Sequence, residues 1–208
     1  MVTNKKTEIV LIIDNSGSMW NTKTDMEGGL KTFLEKQREE SGVCNITQYN
    51  FSDKLKKVFE NVDVNKVGEI TIVPSGNTAL YDAVGGAINE VGARLSKTNK
   101  KDRPDLVVLC VLTDGQENSS KEFTQNQVKE MIKHQGDKYS WQFTFLGQGL
   151  DVQNSGIQTG FSYDNSIAYS KAGIGATTMM LSSKINSIRK GEVTSLVYDA
   201  SERAQANI

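Results

Sequence analysis

Three short polar segments carry the oxygen-bearing side chains that give this sequence a capacity for chemistry. Residues 14–19 (DNSGSM) and 113–116 (TDGQ) each follow an apolar run, and residues 75–78 (SGNT) precede a helical pattern. In open α/β sheets, ligands bind beyond the carboxyl ends of the strands, so we expect these segments to meet at one edge of a sheet. Two carboxylates and several hydroxyls would then share one place.

Carboxylate and hydroxyl oxygens are the ligands that a hard divalent cation such as Mg²⁺ prefers. Asp14, Ser16 and Ser18 alternate in sequence, and Gly17 relieves the backbone of the tight loop that they form. One turn therefore presents several oxygens to one point, and Asp114 reaches the same point directly or through water. A soft metal is disfavoured because these segments contain no cysteine and no histidine.

The charge of this ligand set indicates what would complete it. Two carboxylates only just neutralise a dication, and the hydroxyls of Ser16, Ser18 and Thr78 are neutral. If only one carboxylate binds directly, the ion stays electrophilic toward an outside anion. An Asp or Glu of a protein partner is the obvious candidate.

Each segment also has a purely structural interpretation. The DNSGS turn could cap a helix, Thr78 could be the N-cap of the helix that follows it, and Asp114 could belong to an ordinary strand-ending turn. Asp82 lies four residues after Thr78 and shares a helical face with it. It either supports the site from behind or is a solvated helix residue.

Residues next to the candidate ligands are predicted to form a rim that contacts the partner. An exposed Trp20 beside a cation would be a good contact anchor, although it could equally pack beneath the loop. The predicted rim consists of Asn15, Met19, Trp20, Asn77, Tyr81, Gln116 and Glu117.

The elements that must position these residues are predicted from hydrophobic patterns. Continuously apolar runs at 9–13, 106–112 and 143–146 are typical of parallel strands covered on both faces. Helical patterns fill the intervals, at 26–37, 80–95, 128–132 and 174–188. This alternation predicts an α/β fold, a doubly wound and mostly parallel sheet with helices on both faces.

One stretch departs from this alternation. Residues 43–51 and 55–62 are strand-like and only three residues separate them, so we predict an antiparallel hairpin at the edge of the sheet. Lys54, Lys56 and Lys57 suit an edge strand, because charge there discourages edge-to-edge pairing. A weaker last strand is predicted at 167–169.

The motifs DNSGSM, GNTALYDA and LTDG resemble, in order and spacing, the three parts of the metal-ion-dependent adhesion site (MIDAS) of von Willebrand factor type A (VWA) domains. The resemblance covers roughly residues 7–190 and is greatest to stand-alone intracellular VWA proteins of bacteria and phages. It implies a VWA domain at 1–190, a C-terminal tail at 191–208, and Mg²⁺, or Mn²⁺ in its place, with a partner carboxylate completing the coordination. The matching metal-site positions are Asp14, Ser16, Ser18, Thr78 and Asp114.

Composition narrows the function classes further. The chain has 24 Lys and Arg against 25 Asp and Glu, a balance that disfavours sequence-independent nucleic-acid binding. The single histidine, His134, excludes a multi-histidine zinc site. No apolar stretch approaches the length of a membrane span or signal peptide, and Cys44 and Cys110 lie in apolar runs typical of buried, reduced thiols. We therefore expect a cytoplasmic protein that binds neither nucleic acid nor membrane.

These inferences favour a Mg²⁺-dependent protein-binding module, an adaptor or scaffold rather than an enzyme. A metal-dependent hydrolase or phosphoryl-transfer enzyme is the alternative, disfavoured because the sequence lacks a second Asp two residues after Asp14, a phosphate-binding Gly-rich loop with Lys, and a GxSxG motif. Another is self-assembly, with Asp199 or Glu202 of the tail docking on a neighbouring ion. A scaffold that retains the site without using it also remains open.

Overall fold

The computed structural model describes residues 5–207. Strands and helices alternate along this part of the chain. The strands are β1 (Thr7–Asp14), β2 (Cys44–Phe51), β3 (Leu55–Asp63), β4 (Leu106–Thr113), β5 (Gln142–Gln148) and β6 (Ser166–Tyr169). The helices are α1 (Lys23–Glu39), α2 (Leu80–Lys97), α3 (Gln125–Tyr139), α4 (Leu150–Thr159), α5 (Ile174–Lys190) and α6 (Ala200–Ala206). Short 3₁₀ helices span Gly17–Asn21, Val64–Lys66 and Lys100–Asp102.

The six strands form one sheet in the order β3-β2-β1-β4-β5-β6. β2 and β3 are antiparallel, and every other neighbouring pair is parallel. The predicted fold class is confirmed: a mostly parallel, doubly wound sheet with an antiparallel hairpin strand at one edge. β1 and β4 are neighbours, and Ile13 is in register with Leu112. The segments that follow these two strands therefore leave the sheet side by side.

Two apolar layers cover the sheet, one on each face. Every residue of β1 and β4 is buried. Along β1, Ile9, Leu11 and Ile13 pack in the layer that contains α1 and α5, whereas Val10 and Ile12 pack in the layer that contains α2 and α3. Each such aliphatic side chain contributes about 1.5–3 kcal/mol when it is buried, so the strands that carry the candidate ligands are firmly held.

The segment after α5 packs against the sheet. Leu196 and Tyr198 are buried in the layer of α1 and α5. The guanidinium of Arg203 donates to the carbonyls of Ser166 and Tyr163, and the backbone N–H of Ser170 donates to the carbonyl of Ala206. α6 is thereby attached to β6. None of the helices within residues 5–207 has both the length and the apolar composition that crossing a bilayer requires.

Candidate metal centre

Asp14 ends β1 and is fully buried. Its Oδ1 accepts a hydrogen bond of 2.6 Å from the backbone N–H of Ser16, and its Oδ2 accepts one from the hydroxyl of Thr113. Burial disfavours the charged form and raises the pKa of Asp14 to about 6. Within residues 5–207, no Lys or Arg forms an ion pair with this carboxylate. The site therefore holds a buried acid without a protein cation beside it.

The two serines of the first loop connect Asp14 to the loop after β4. The hydroxyls of Ser16 and Ser18 lie 3.0 Å apart, and the hydroxyl of Ser18 donates to Asp114 Oδ1 at 2.5 Å. Asp114 Oδ2 accepts a further hydrogen bond of 3.2 Å from the hydroxyl of Thr22. Desolvation raises the pKa of Asp114 also. Two carboxylates of elevated pKa thus flank a pair of hydroxyls.

Thr78 reaches the same place from the third loop. A Cβ built on Gly115 would lie 2.9 Å from the Thr78 hydroxyl oxygen and 3.6 Å from that of Ser18, so both hydroxyls lie beside Gly115. The N-cap of α2 is Ala79, so the hydroxyl of Thr78 does not cap the helix. The structure brings together all five residues that the sequence identifies as candidate ligands.

Backbone hydrogen bonds hold the three loops in position. The N–H of Gly17 donates to the carbonyl of Gly76 at 3.0 Å, and the N–H of Ser75 donates to the carbonyl of Asn15 at 2.7 Å. Gly76 has a φ of 73°, a left-handed conformation that glycine adopts without strain. The first loop and the Thr78 loop are therefore attached to each other as well as to the sheet.

The chemistry of this donor set fits a hard divalent cation. It comprises two carboxylates and three hydroxyls, with no sulfur and no nitrogen ligand. Within the described part of the chain, no group of three or more His, Cys, Asp or Glu side chains is placed to hold a metal, so a cation here would depend on the hydroxyls. The buried charge of Asp14, which no Lys or Arg within residues 5–207 compensates, would be stabilised by a cation at this point.

The rim is only partly as the sequence predicts. Trp20 has 66% of its surface exposed, so the alternative in which it packs beneath the loop is wrong. Met19 is fully buried, and its assignment to the rim is also wrong, because the 3₁₀ turn directs Met19 into the core and Trp20 outward. Asn77 and Gln116 are exposed, whereas Asn15 and Tyr81 are half-buried.

Glu117, also assigned to the rim, uses its carboxylate within the protein. It accepts hydrogen bonds from the backbone N–H groups of Tyr81, Ser119 and Ser120, and from the hydroxyl of Ser120. Since Tyr81 lies in the first turn of α2, this carboxylate fixes the loop after β4 to the N-terminus of that helix. Glu117 therefore positions the loop.

Asp82 performs a related task on the same helix. Its carboxylate accepts three backbone hydrogen bonds, from Lys121 at 2.8 Å, Glu122 at 2.9 Å and Phe123 at 2.8 Å. It is therefore not a freely solvated helix residue, and these contacts connect it to the loop after β4. Any support that it gives to the candidate ligands acts through that loop.

Several residues of the site carry no signal in the sequence. Asn118 exchanges two hydrogen bonds with Thr78: its Oδ1 accepts from the Thr78 N–H at 2.9 Å, and its own N–H donates to the Thr78 carbonyl at 3.0 Å. The buried Tyr169 donates from its hydroxyl to the Thr113 carbonyl at 3.0 Å. Thr113 directly precedes Asp114, so the motif predicts its place beside the site. Thr22 lies at the start of α1 and Tyr169 at the end of β6, outside the three motifs.

The remaining residues with reactive side chains lie elsewhere. His134 is exposed near the end of α3, and its ring lies 5.8 Å from that of Tyr139, edge to face. Cys44 and Cys110 are buried free thiols, and burial raises the pKa of Cys44 to about 11. A thiol with that pKa stays protonated at neutral pH and is a poor nucleophile.

Comparison with solved structures identifies the fold as that of VWA domains. Proximal thread matrix protein 1 from the mussel byssus, with a zinc-occupied MIDAS motif, matches with a TM-score of 0.55 at 18% identity, over 92% of this chain and 47% of that chain. A von Willebrand factor type A protein from Catenulispora acidiphila matches with a TM-score of 0.57 at 14% identity, over 86% and 42%. The pilus adhesin SpaC from Lactobacillus rhamnosus GG, in an open conformation, matches with a TM-score of 0.63 at 14% identity, over 88% and 30%.

The chain spans less than two thirds of the length of each of these structures. At such identities the likeness establishes the fold alone. No family model matches the sequence, and no curated protein matches it.

Proposed function

We propose that the protein is a divalent-cation-dependent protein-binding module. The observation that carries the proposal is the convergence of oxygen donors from three loops beside a buried carboxylate, that of Asp14, which forms no ion pair with a Lys or Arg in the described part of the chain. The zinc-occupied MIDAS of the mussel protein supports metal binding by this fold, and the adhesin among the matched structures supports an interaction role. The residues proposed to hold Mg²⁺, or Mn²⁺ in its place, are Asp14, Ser16, Ser18, Thr78 and Asp114.

The ligand set also determines what the module would bind. Asp14 and Asp114 supply at most two negative charges, and the three hydroxyls supply none. Bound Mg²⁺ would offer an electrophilic position to an anion from outside the chain. We propose that the anion is the carboxylate of an Asp or Glu on a protein partner. The exposed Trp20, Asn77 and Gln116 are placed to contact the residues that flank this acid.

A binding role is favoured over hydrolysis by the state of the nearby carboxylates. Glu117 and Asp82 are the acids that could serve as a general base, and both accept several backbone hydrogen bonds in fixed positions. These hydrogen bonds give both carboxylates a structural role in holding the loop after β4. We therefore propose a non-enzymatic adaptor or scaffold that acts in the cytoplasm.

A separate partner is favoured over docking of the chain's own tail. Asp199 accepts a hydrogen bond from the N–H of Glu202 as the cap of α6. The carboxylate of Glu202 forms an ion pair of 2.8 Å with Lys184. Both acids of the tail are thus engaged within the chain, and releasing either one would cost these contacts.

The direct test measures metal and carboxylate binding together. We expect calorimetric titration to detect one Mg²⁺ or Mn²⁺ site, absent in Ser16→Ala and retained in the control Ser119→Ala, which removes a hydroxyl from the loop after β4. N-acetylglutamate α-amide should then shift the NMR signals of Ser16, Thr78 and Gly115 with Mg²⁺ but not with chelator. A wild-type protein that binds neither ion would overturn the proposal.

A further inference from the structure

A groove of about 610 Å³ opens directly beside the candidate metal centre. One wall is the edge strand β3, and the other is the segment 68–73, which belongs to neither a helix nor a strand. Asn15 and Ser75 line it, and both belong to the loops that carry the candidate ligands. A chain that reaches the metal centre could therefore continue into this groove.

Main-chain polar groups along the groove lack partners among the described residues, and so does the side-chain oxygen of one lining residue. The side-chain oxygen of Asn15 is buried, and it makes no hydrogen bond within residues 5–207. The backbone N–H and C=O groups of residues 68–71 likewise form no hydrogen bond within residues 5–207, and they belong to neither a helix nor a strand. A buried oxygen such as that of Asn15 is nearly always paired in proteins, and unpaired backbone groups on an exposed segment can pair with an extended chain from outside.

The charge of the groove indicates the chemistry of such a chain. Lys54 and Lys56 line it and form no ion pair within the part of the chain that the structure describes. Lys57 differs, because its ammonium contacts Glu60 at 2.8 Å and Glu90 at 3.3 Å. The acid in the lining is Glu69. Two uncompensated lysines would attract an acidic segment and repel a basic one.

We infer that this groove holds an extended acidic segment of the protein partner, with one acid at the metal centre and another facing Lys54 and Lys56. This inference rests on the proposed function, since the same segment would supply the metal-bound carboxylate. Asp14 pairs with Phe51, and Phe51 pairs with Leu55 beside the two lysines. Two strand spacings of about 4.8 Å separate them, which an extended chain covers in about three residues.

The test uses a capped ten-residue Gly/Ser peptide with two glutamates three residues apart, and a control peptide in which the second glutamate is glutamine. Binding to ¹⁵N-labelled protein is followed by NMR at millimolar peptide, with Mg²⁺ and with chelator. The Lys54→Gln/Lys56→Gln variant is compared with Lys100→Gln/Lys101→Gln, which removes two exposed lysines at the opposite end of the sheet.

We expect the two-glutamate peptide in Mg²⁺ to shift the amides of Asn15, Lys56 and residues 68–71. It should bind about threefold or more tightly than the control peptide, and the Lys54→Gln/Lys56→Gln variant should lose that difference. If the two peptides bind equally tightly and shift only the metal loops, the inference that the groove holds an acidic segment is wrong, and the proposed function is unaffected. Shifts in the groove that are the same with Mg²⁺ and with chelator would overturn the inferred link between the groove and the metal centre, and no shift anywhere would overturn both proposals.

Discussion

The hydroxyl of Ser18 donates a 2.5 Å hydrogen bond to Asp114, a residue 96 positions further along the chain. This contact joins the loop after β1 to the loop after β4, and it exists because β1 and β4 are neighbours in the sheet. This hydrogen bond occupies one acceptor position of the Asp114 carboxylate and leaves other acceptor positions of that carboxylate free. The donors of the candidate metal centre are thereby held near each other by protein contacts alone, so little reorganisation is needed to bind an ion.

Mg²⁺ should stabilise the protein through Asp14. A ligand at about 100 times its Kd adds roughly 2.7 kcal/mol of stability, which corresponds to a rise in Tm of about 5–10 °C for a domain of this size. We expect Mg²⁺ added to chelator-treated protein to produce this rise, and Asp14→Asn to abolish it. Scanning calorimetry measures the effect, with Asp137→Asn on α3 as the control. An unchanged Mg²⁺ response in Asp14→Asn would contradict the assignment of Asp14 as a ligand.

The stability of the metal-free protein should fall as the pH rises from about 4 to about 6. The folded protein raises the pKa of Asp14 from 3.8 to about 6, so within this window the folded state holds a proton that the unfolded chain has released. This difference in pKa stabilises the folded state by roughly 3 kcal/mol. The stabilisation is fully present below the pKa of Asp14 in the unfolded chain and is lost above its pKa in the folded protein. Urea unfolding of wild type and Asp14→Asn across this pH range isolates the contribution of Asp14.

Protonation of Asp14 should also weaken Mg²⁺ binding, because the ion binds the carboxylate form of this side chain. We therefore expect the Mg²⁺-dependent rise in Tm to be smaller at pH 5 than at pH 7.5. A rise in Tm that is equal at both pH values would show that Asp14 does not titrate in competition with the ion.

The parts of the fold that could be predicted are those with a periodic or continuous apolar pattern. Strands such as β1 and β4 are apolar on both faces and were recognisable for that reason. α4 was not, because its buried face includes Gln153, whose amide donates to the Ser166 carbonyl at 2.9 Å. The packing of the tail could not be predicted either, since Leu196, Val197 and Tyr198 form an apolar run of three residues, too short to define a period.

The candidate ligands could be predicted because each follows or precedes an element end that the topology brings to one edge. The residues that hold those ligands could not. The side chains of Asn118, Thr22 and Tyr169 act through hydrogen bonds of amide or hydroxyl groups, and such groups occur on any polar surface. The inward direction of Met19 depends on a 3₁₀ turn that no spacing in the sequence indicates.

Gly115→Ala should weaken metal binding without unfolding the protein. The added Cβ would lie 2.9 Å from the Thr78 hydroxyl oxygen, too close for both atoms to stay in place. Because Thr78 is buried, its side chain has to turn away from the site. We expect the Kd for Mg²⁺ to rise about tenfold by calorimetric titration, or about 1.4 kcal/mol. Gly28→Ala is the control, since a Cβ there meets nothing within 4 Å.

Asn118 should contribute to metal affinity through Thr78. In Asn118→Ala the backbone N–H of Thr78 loses its acceptor, a change that costs about 1 kcal/mol and frees the loop. We expect Mg²⁺ binding about fivefold weaker, measured by calorimetry. Asn118→Asp keeps an acceptor oxygen and should restore the affinity. If Asn118→Ala binds Mg²⁺ as tightly as wild type, the loop is positioned by other contacts.

Trp20 should contribute to partner binding and not to stability. Its side chain is 66% exposed, so Trp20→Ala should change the free energy of unfolding by less than about 0.5 kcal/mol. An exposed indole beside the metal loops offers apolar contact to a residue that flanks the bound acid. We therefore expect a capped Gly/Ser peptide with Phe next to its glutamate to bind wild type about fivefold more tightly than the same peptide with Gly.

This preference for Phe should disappear in Trp20→Ala and persist in the control Tyr139→Ala. Tyr139 is also an exposed aromatic residue, but it lies at the end of α3, where β5 begins, rather than beside the metal loops. Fluorescence polarisation in Mg²⁺ measures both affinities, and urea unfolding checks that both variants remain as stable as wild type. A preference for Phe that survives in Trp20→Ala would show that another part of the rim makes the apolar contact.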